Sequence, residues 1–275
     1  MTAPFRLAVE VWGARGSMPS ADAAKLRYGG NTTCISVRSA SGDRVIIDAG
    51  TGIRHLGRLF PRGSEPSQVD LFFTHFHWDH IQGLPYFSPL FQPASLIRFH
   101  SGVSAHETRA HLERQMSYPY FPVEFAAAKA QREFLQMATA PVSVGSLSVS
   151  AFPLNHPQGA WGYRIEGGGA AVVVATDMEH GHPTLDKVLL EYAAHADLLI
   201  YDAHYTEAEY ATHRGWGHSH PRQGTAFAAA AHAKQLSLFH HHPDHDDLTM
   251  DQILLETRAW FPATIAAQER STITL

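Results

Sequence analysis

The chain has 275 residues, 44% of them hydrophobic and 17% charged, with a formal net charge of −5. That length suits one large domain with a buried core, and the negative charge supplies no global basic field to draw in nucleic acid. The single cysteine, Cys34, excludes an intrachain disulfide and a Cys-rich metal site. The start, Met1-Thr2-Ala3-Pro4-Phe5-Arg6, has no charged head followed by an apolar stretch, and no run approaches membrane-spanning length, so a cytoplasmic protein is expected. Residues 7–11 alternate and run into Gly13-Ala14-Arg15-Gly16-Ser17, a strand followed by a loop. Residues 34–38 and 44–48 read as a hairpin around Ser41-Gly42. Residues 52–60 have helical spacing, 68–74 form a buried strand, 96–100 another, and 105–115 a helix. Residues 147–152, 162–166 and 171–175 read as successive strands. A helix at 185–194, a strand at 198–202, an Ala-rich helix at 221–233, a last strand at 235–239 and a last helix at 248–260 complete the chain. Meandering strands followed by strand–helix alternation predict two packed sheets with helices outside, as one domain over 1–275.

The densest chemistry lies in Thr74-His75-Phe76-His77-Trp78-Asp79-His80, directly after the apolar run 69–73. In an extended stretch alternate residues point the same way, so His75 and His77 can share one ion. The turn that follows aims Asp79 and His80 at a second. Imidazole with carboxylate suits zinc first, with manganese, iron or cobalt also compatible. The plain alternative, a His-rich turn that binds nothing, is disfavoured by polar residues at other strand ends. His156 follows one strand, Asp177 another, and His240-His241-His242 a third. Such positions can converge on one rim of a sheet, where active sites commonly sit. The resulting set is His75, His77 and His156 for one ion, and Asp79, His80 and one of His240 to His242 for the other. Asp177 can bridge, since a carboxylate has two oxygens.

With Ile47-Asp48-Ala49-Gly50-Thr51-Gly52, the His-x-His-x-Asp-His block, Ile81-Gln82-Gly83-Leu84-Pro85, His156, Asp177 and the terminal His cluster, the chain resembles the metallo-β-lactamase superfamily. Within it, the chain is most similar to the tRNase Z and cyclic-nucleotide phosphodiesterase branch. The resemblance implies a four-layer αββα sandwich with a two-metal hydrolytic centre. It implies His240 as the last ligand, with His241 the alternative, and counts Asp79 with the catalytic residues. Leu198-Leu199-Ile200-Tyr201-Asp202-Ala203 and Gly217-His218-Ser219-His220 resemble two further segments of that branch. They imply that Asp202 and His218 pair beside the metals and protonate the leaving oxygen. The competing account of the second segment is a helix N-cap at Ser219 beside a solvated histidine.

The chain departs from tRNase Z in one respect. His156 and Asp177 are only 21 positions apart, with a tight Glu166-Gly167-Gly168-Gly169 turn between. The Gly/basic arm with which that family clamps tRNA has no room there. The expected substrate is therefore a small phosphodiester, such as a cyclic nucleotide, and not tRNA. The alternatives are a thioesterase- or lactamase-like hydrolase, which needs no Asp202–His218 acid, and a non-catalytic metal-bound sensor. Between residues 84 and 141 lies an insertion containing Gln115-Met116-Ser117-Tyr118-Pro119-Tyr120-Phe121-Pro122-Val123. It could roof the cleft and stack a base, or serve as a core patch or homodimer interface. Asp48 reads as a hydrogen-bond acceptor that orients the metal loop. Cys34 reads as a buried hydrophobe. His55, His100, His106, His111, His195, His213 and His232 read as solvated or core-satisfied, and His180, His182 and His204 stay undecided.

Overall fold

The structure, a computed structural model, describes residues 5–61, 63 and 65–275; Met1-Thr2-Ala3-Pro4, on which the reading of the N-terminus rests, lies outside them. The first half contains β1 (Leu7–Gly13), β2 (Cys34–Ser39), β3 (Arg44–Ile47), the one-turn helix α1 (Ile53–Leu56), β4 (Ser67–Phe73), the one-turn helix α2 (Trp78–Ile81), β5 (Ser95–Ser101), α3 (Ala105–Gln115) and β6 (Gln131–Gln136). The second half contains β7 (Val142–Val144), β8 (Leu147–Leu154), β9 (Ala160–Gly167), β10 (Ala170–Ala175), α4 (Leu185–Ala193), β11 (Leu198–Asp202), α5 (Glu207–Tyr210), α6 (Pro221–Ala230), β12 (Leu236–Phe239), α7 (Asp247–Trp260), β13 (Thr264–Ala266) and β14 (Thr272–Thr274). Two seven-stranded sheets result, ordered β14-β1-β2-β3-β4-β5-β6 and β13-β12-β11-β10-β9-β8-β7.

Strand β10 shows how the layers arise. All of Ala-Ala-Val-Val-Val-Ala is buried, yet Val172 and Val174 join one core while Val173 and Ala175 join another. That is the period-two alternation of a strand covered on both faces. The shared core lies between the sheets, where Val9, Val37 and Phe72 meet Val149, Val172 and Ile200. A second core holds α4, α6 and α7 on the outside of one sheet through Leu189, Phe227 and Ile253. A third lies outside the other sheet, where Ile53 of α1, Leu112 of α3 and Phe87 pack on Leu71 and Phe73. Helices thus cover both outer faces of two packed sheets, an αββα sandwich.

Strand direction positions the site. β3 and β4 run parallel, as do β10, β11 and β12. β8 runs with β10, because both are antiparallel to β9. The C-terminal ends of all these strands therefore open on one side, where ligands bind in open sheets with parallel strands. Gly168 and Gly169, at φ +58° and +76°, close the β9–β10 hairpin in the left-handed conformation that a two-residue turn needs.

Several elements differ from the sequence reading. The strand at 235–239 is not the last: β13 pairs parallel with β12, and β14 pairs antiparallel with β1. Each has three residues, too few for alternation to stand out. Residues 52–60 give only α1 and a 3-10 turn at Gly57–Leu59, in a run where Gly52 and Gly57 weaken a longer helix. Two segments of the stretch 84–141 are strands of the first sheet, since β5 pairs with β4 and β6 pairs with β5. The aromatic part lies between α3 and β6, with Tyr118 and Tyr120 exposed. Among the described residues no helix is long and apolar enough to cross a membrane.

Candidate functional site

Beyond β4 the chain bends at Thr74 and runs to His77, which stands at the N-terminus of α2 in an extended conformation with φ −63° and ψ 154°. His75 and His77 therefore face one point. Their ring centroids lie 4.4 Å apart and 4.8 and 5.0 Å from His156. The outer nitrogens are tied down. His75 Nδ1 is 3.0 Å from Thr74 Oγ1, His77 Nε2 is 3.2 Å from Gln158 Oε1, and His156 Nδ1–H donates to the Gly217 carbonyl at 2.8 Å. The inner nitrogens are left to converge, with His156 Nε2 3.2 Å from His77 Nδ1.

A second cluster brings Asp79, His80, Asp177 and His240 together. His80 Nε2 lies 3.3 Å from Asp79 Oδ2 and 3.2 Å from Asp177 Oδ2, and His240 Nε2 lies 3.1 Å from Asp79 Oδ2 and 3.3 Å from Asp177 Oδ1. Asp177 Oδ1 is also 3.8 Å from His75 Nε2, so this carboxylate stands between the clusters. His75 Nε2 and His80 Nε2 are buried without a directed hydrogen-bond partner. Two orphaned imidazole nitrogens among carboxylates form a borderline N/O donor set that fits divalent ions.

Strained backbone builds the rim. Asp48, Asp177 and His240 each follow a strand with φ of +61°, +56° and +61°. A left-handed non-glycine residue costs of order 1–3 kcal/mol, and here it turns the side chain back over the strand ends. Asp48 accepts from Thr74 N–H and Oγ1–H at 2.8 Å, and its Oδ2 is 2.7 Å from His80 Nδ1. It thus orients His80 as the sequence reading expects. Ala49 N–H donates to the His80 carbonyl at 2.7 Å. A Cβ on Gly83 would lie 2.0 Å from the Gly50 carbonyl oxygen, so the two motif segments touch through bare backbone.

Charge follows geometry. Burial, with His80 adding repulsion, holds the His75 imidazole well below its ordinary pKa, so it is neutral and has a lone pair to offer. Burial opposes ionisation of Asp79 and Asp177, but His80 and His240 hold both well below the carboxylate range. Burial likewise opposes a charge on His80, and Asp177, Asp79 and Asp48 outweigh it, raising that imidazole well above its usual value. A ligating His80 must lose that proton, so metal uptake releases protons.

His218 stands at the edge. Its Nδ1–H donates to Asp202 Oδ2 at 2.9 Å, and its ring stacks on His240 and His204 at 4.9 and 4.4 Å. Burial opposes its charge, but Asp202 holds the imidazole up at about 9. Asp202 in turn accepts from the N–H groups of Ser219, His204 and Asp177. Ser219 is not a helix cap: α6 starts at Pro221 after His220, and the Ser219 hydroxyl bonds with Tyr201 and His180. His218 also falls within ligand distance of groups containing His204, His240, Asp177 and Asp202.

Of the terminal histidines, only His240 faces the carboxylates. His241 Nε2–H donates to the Ala267 carbonyl at 2.8 Å beside Tyr28. His204 donates to the His240 carbonyl, His182 caps the start of α4, and His100 is buried on Asp70 and Phe72. Sequence reasoning missed Arg15. Fully buried, it donates to the carbonyls of Gly29, His242 and His245 and so braces the loop after His240. A lone arginine inside a small-residue loop was the only signal.

His220 permits a test outside the two clusters. Burial, with His180 adding repulsion and Glu207 and Arg222 nearby, pushes its imidazole down to about 4. The unfolded chain takes that proton near pH 6.5. Stability from this group is therefore full above pH 6.5 and lost as the pH falls toward 4. The slope is below the ~1.4 kcal/mol per pH unit of a fully buried group. The thermal midpoint is expected to fall from pH 7 to pH 5 and to fall less steeply in His220→Gln. An unchanged slope in the variant would contradict the assignment.

A family model described as "Beta-lactamase superfamily domain" matches residues 43–241. Ribonuclease BN of Escherichia coli O1:K1 / APEC is 25% identical, over 82% of this chain and 87% of its own. Among solved structures, the metallo-β-lactamase fold protein YhfI from Bacillus subtilis superimposes with TM-score 0.73 at 17% identity, over 98% of this chain and 99% of its own. A diphosphatase of the PhnP family gives 0.70 at 19% identity, over 98% of each chain. The matched residues include the strand-end motifs and every residue of the two clusters, and the chain belongs to the metallo-β-lactamase superfamily.

Proposed function

We propose that the protein is a dinuclear-metal phosphodiesterase acting on small phosphodiesters such as cyclic nucleotides. The observation that carries this reading is the Asp202–His218 pair at the edge of the two clusters. A departing alkoxide needs a proton, whereas the thiolate of a thioester does not. In this reading His75, His77 and His156 hold one ion, Asp79, His80 and His240 the other, and Asp177 lies between. When bound, two divalent cations supply Lewis-acid polarisation of the phosphoryl oxygen, a water of lowered pKa and, beside two carboxylates, a net positive centre.

The chain's own residues do the rest. Asp202 accepts the Nδ1–H of His218, which fixes the ring and leaves Nε2–H to donate to the leaving oxygen. Ser17 N–H donates to Asp79 Oδ2 at 2.8 Å and holds that carboxylate against the His240 side. Trp78, between two candidate ligands, walls a cleft of about 470 Å³ with Phe76, Tyr86, Arg114, Tyr120 and Phe121. A cleft of that size suits a small-molecule ligand. In this reading the aromatic loop, which borders that cleft through Tyr120 and Phe121, roofs a small substrate beside the clusters, and the Gly168-Gly169 turn carries no clamp for tRNA. That relatives include a ribonuclease and a diphosphatase agrees with phosphate chemistry.

Cyclic nucleotides, bis-p-nitrophenyl phosphate, a thioester, a β-lactam and precursor tRNA, assayed together with metal-loaded enzyme, test the proposal. Turnover of the small diesters alone is expected. Efficient 3′ cleavage of precursor tRNA would overturn the size assignment. Thioester or lactam turnover with diesters untouched would overturn the phosphodiesterase reading.

A further inference from the structure

Glu179 belongs to neither His/Asp cluster, yet it stands where three loops of the site meet. Its carboxylate accepts from Gly215 N–H at 2.7 Å (Oε1) and 2.9 Å (Oε2), from Gly217 N–H at 2.9 Å (Oε2) and from the Tyr210 hydroxyl at 3.1 Å (Oε1). Its main chain is tied as well. Glu179 N–H donates to the Asn155 carbonyl and Asn155 Nδ2–H donates to the Glu179 carbonyl, both at 2.8 Å. Asn155 immediately precedes His156, Gly217 immediately precedes His218, and Asp177 lies two residues before Glu179.

The geometry of the 215–217 loop explains why an anion sits there. Gly215 and Gly217 have φ of +85° and +86°, and their N–H groups point at one spot. Such a backbone concavity is a nest that ordinarily takes an anion. The loop must also come close. A Cβ on Gly217 would lie 2.4 Å from His156 Nδ1, the atom that donates to the Gly217 carbonyl at 2.8 Å. The same residue, Gly217, therefore gives its N–H to Glu179, anchors His156 through its carbonyl and leads into His218.

We infer that Glu179 is a positioning residue: a built-in anion that fills the 215–217 nest and so sets both His156 of the first cluster and the proton donor His218. The His218 half rests on the phosphodiesterase reading, while the His156 half concerns metal affinity alone. Charge matters here, because carboxylate bonds to N–H groups are about twice as strong as neutral ones. A glutamine in its place would aim amide N–H groups at backbone N–H groups.

The test is Glu179→Ala in the full chain, followed by Zn²⁺ titration and by hydrolysis of alkoxide- and nitrophenolate-leaving diesters. One of the two metal equivalents is expected to bind ~10–100-fold more weakly, the usual cost of losing a group that orients a ligand. kcat is expected to fall more for alkoxide than for nitrophenolate substrates. Added formate, which can re-enter the nest, is expected to restore part of both. Glu179→Gln, the isosteric variant, carries the same test should the alanine variant not fold, and it is expected to share the metal and leaving-group defects. If either variant keeps both metal affinities and the wild-type leaving-group profile, whatever its thermal midpoint, the inference is overturned. If the wild type hydrolyses no phosphodiester, the phosphodiesterase reading fails. The Zn²⁺ titration with and without formate still decides the role of Glu179.

Discussion

His218→Ala is expected to keep both metal equivalents and to slow phosphodiesters with alkoxide leaving groups by ~10²–10⁴-fold, the usual contribution of a general acid. His218 sits at the end of the loop that leads to α6, with Nδ1 committed to Asp202 at 2.9 Å, so Nε2 is its free donor. Asp202 is wholly buried and bonded to three backbone N–H groups, which fixes the carboxylate and, through it, the imidazole. The loss is expected to shrink for nitrophenolate, which leaves without help. Asp202→Asn is expected to give a milder version of the same pattern. An equal slowing of both leaving-group classes, with metals retained, would mean that His218 positions the phosphate instead. Loss of metal would make it a ligand, which its place near His204 and His240 allows.

Asp177→Ala is expected to be more damaging still. Its two oxygens approach His80 at 3.2 Å and His240 at 3.3 Å, with His75 at 3.8 Å. Among the described residues no neighbour duplicates this carboxylate between the clusters. The variant is expected to retain one equivalent, at His75, His77 and His156, and to lose the second together with hydrolysis. Asp48→Asn, which alters the acceptor shared by His80 Nδ1 and Thr74, is expected to weaken metal binding by ~10–100-fold. Metal counting by mass spectrometry under native conditions checks both. Two tightly held equivalents in Asp177→Ala would show that the carboxylate is not shared.

Much of this arrangement was legible because strand ends are legible. An apolar run that stops at a His or Asp marks a buried strand reaching the rim, and His75, His77, His156, Asp177 and His240 were all readable in that way or through the family resemblance. The helices α3 and α4 stood out by spacing. β13 and β14 did not, because three-residue edge strands carry no periodicity. The long-range supports were also hidden. Arg15 and Glu179 act on backbone atoms more than thirty residues away, and a carbonyl or N–H partner leaves no trace in side-chain pattern. The family resemblance pointed to His240 over His241, but the backbone torsion of +61° at His240 leaves no trace in the triple histidine.

The most direct measurement is the initial rate on bis-p-nitrophenyl phosphate as Zn²⁺ or Mn²⁺ is titrated into chelator-stripped protein. The account predicts no turnover without metal, a rise that completes at two equivalents per chain, and release of protons as the ions bind. Full activity at one equivalent, or two equivalents bound with no hydrolysis of any phosphodiester, would contradict it.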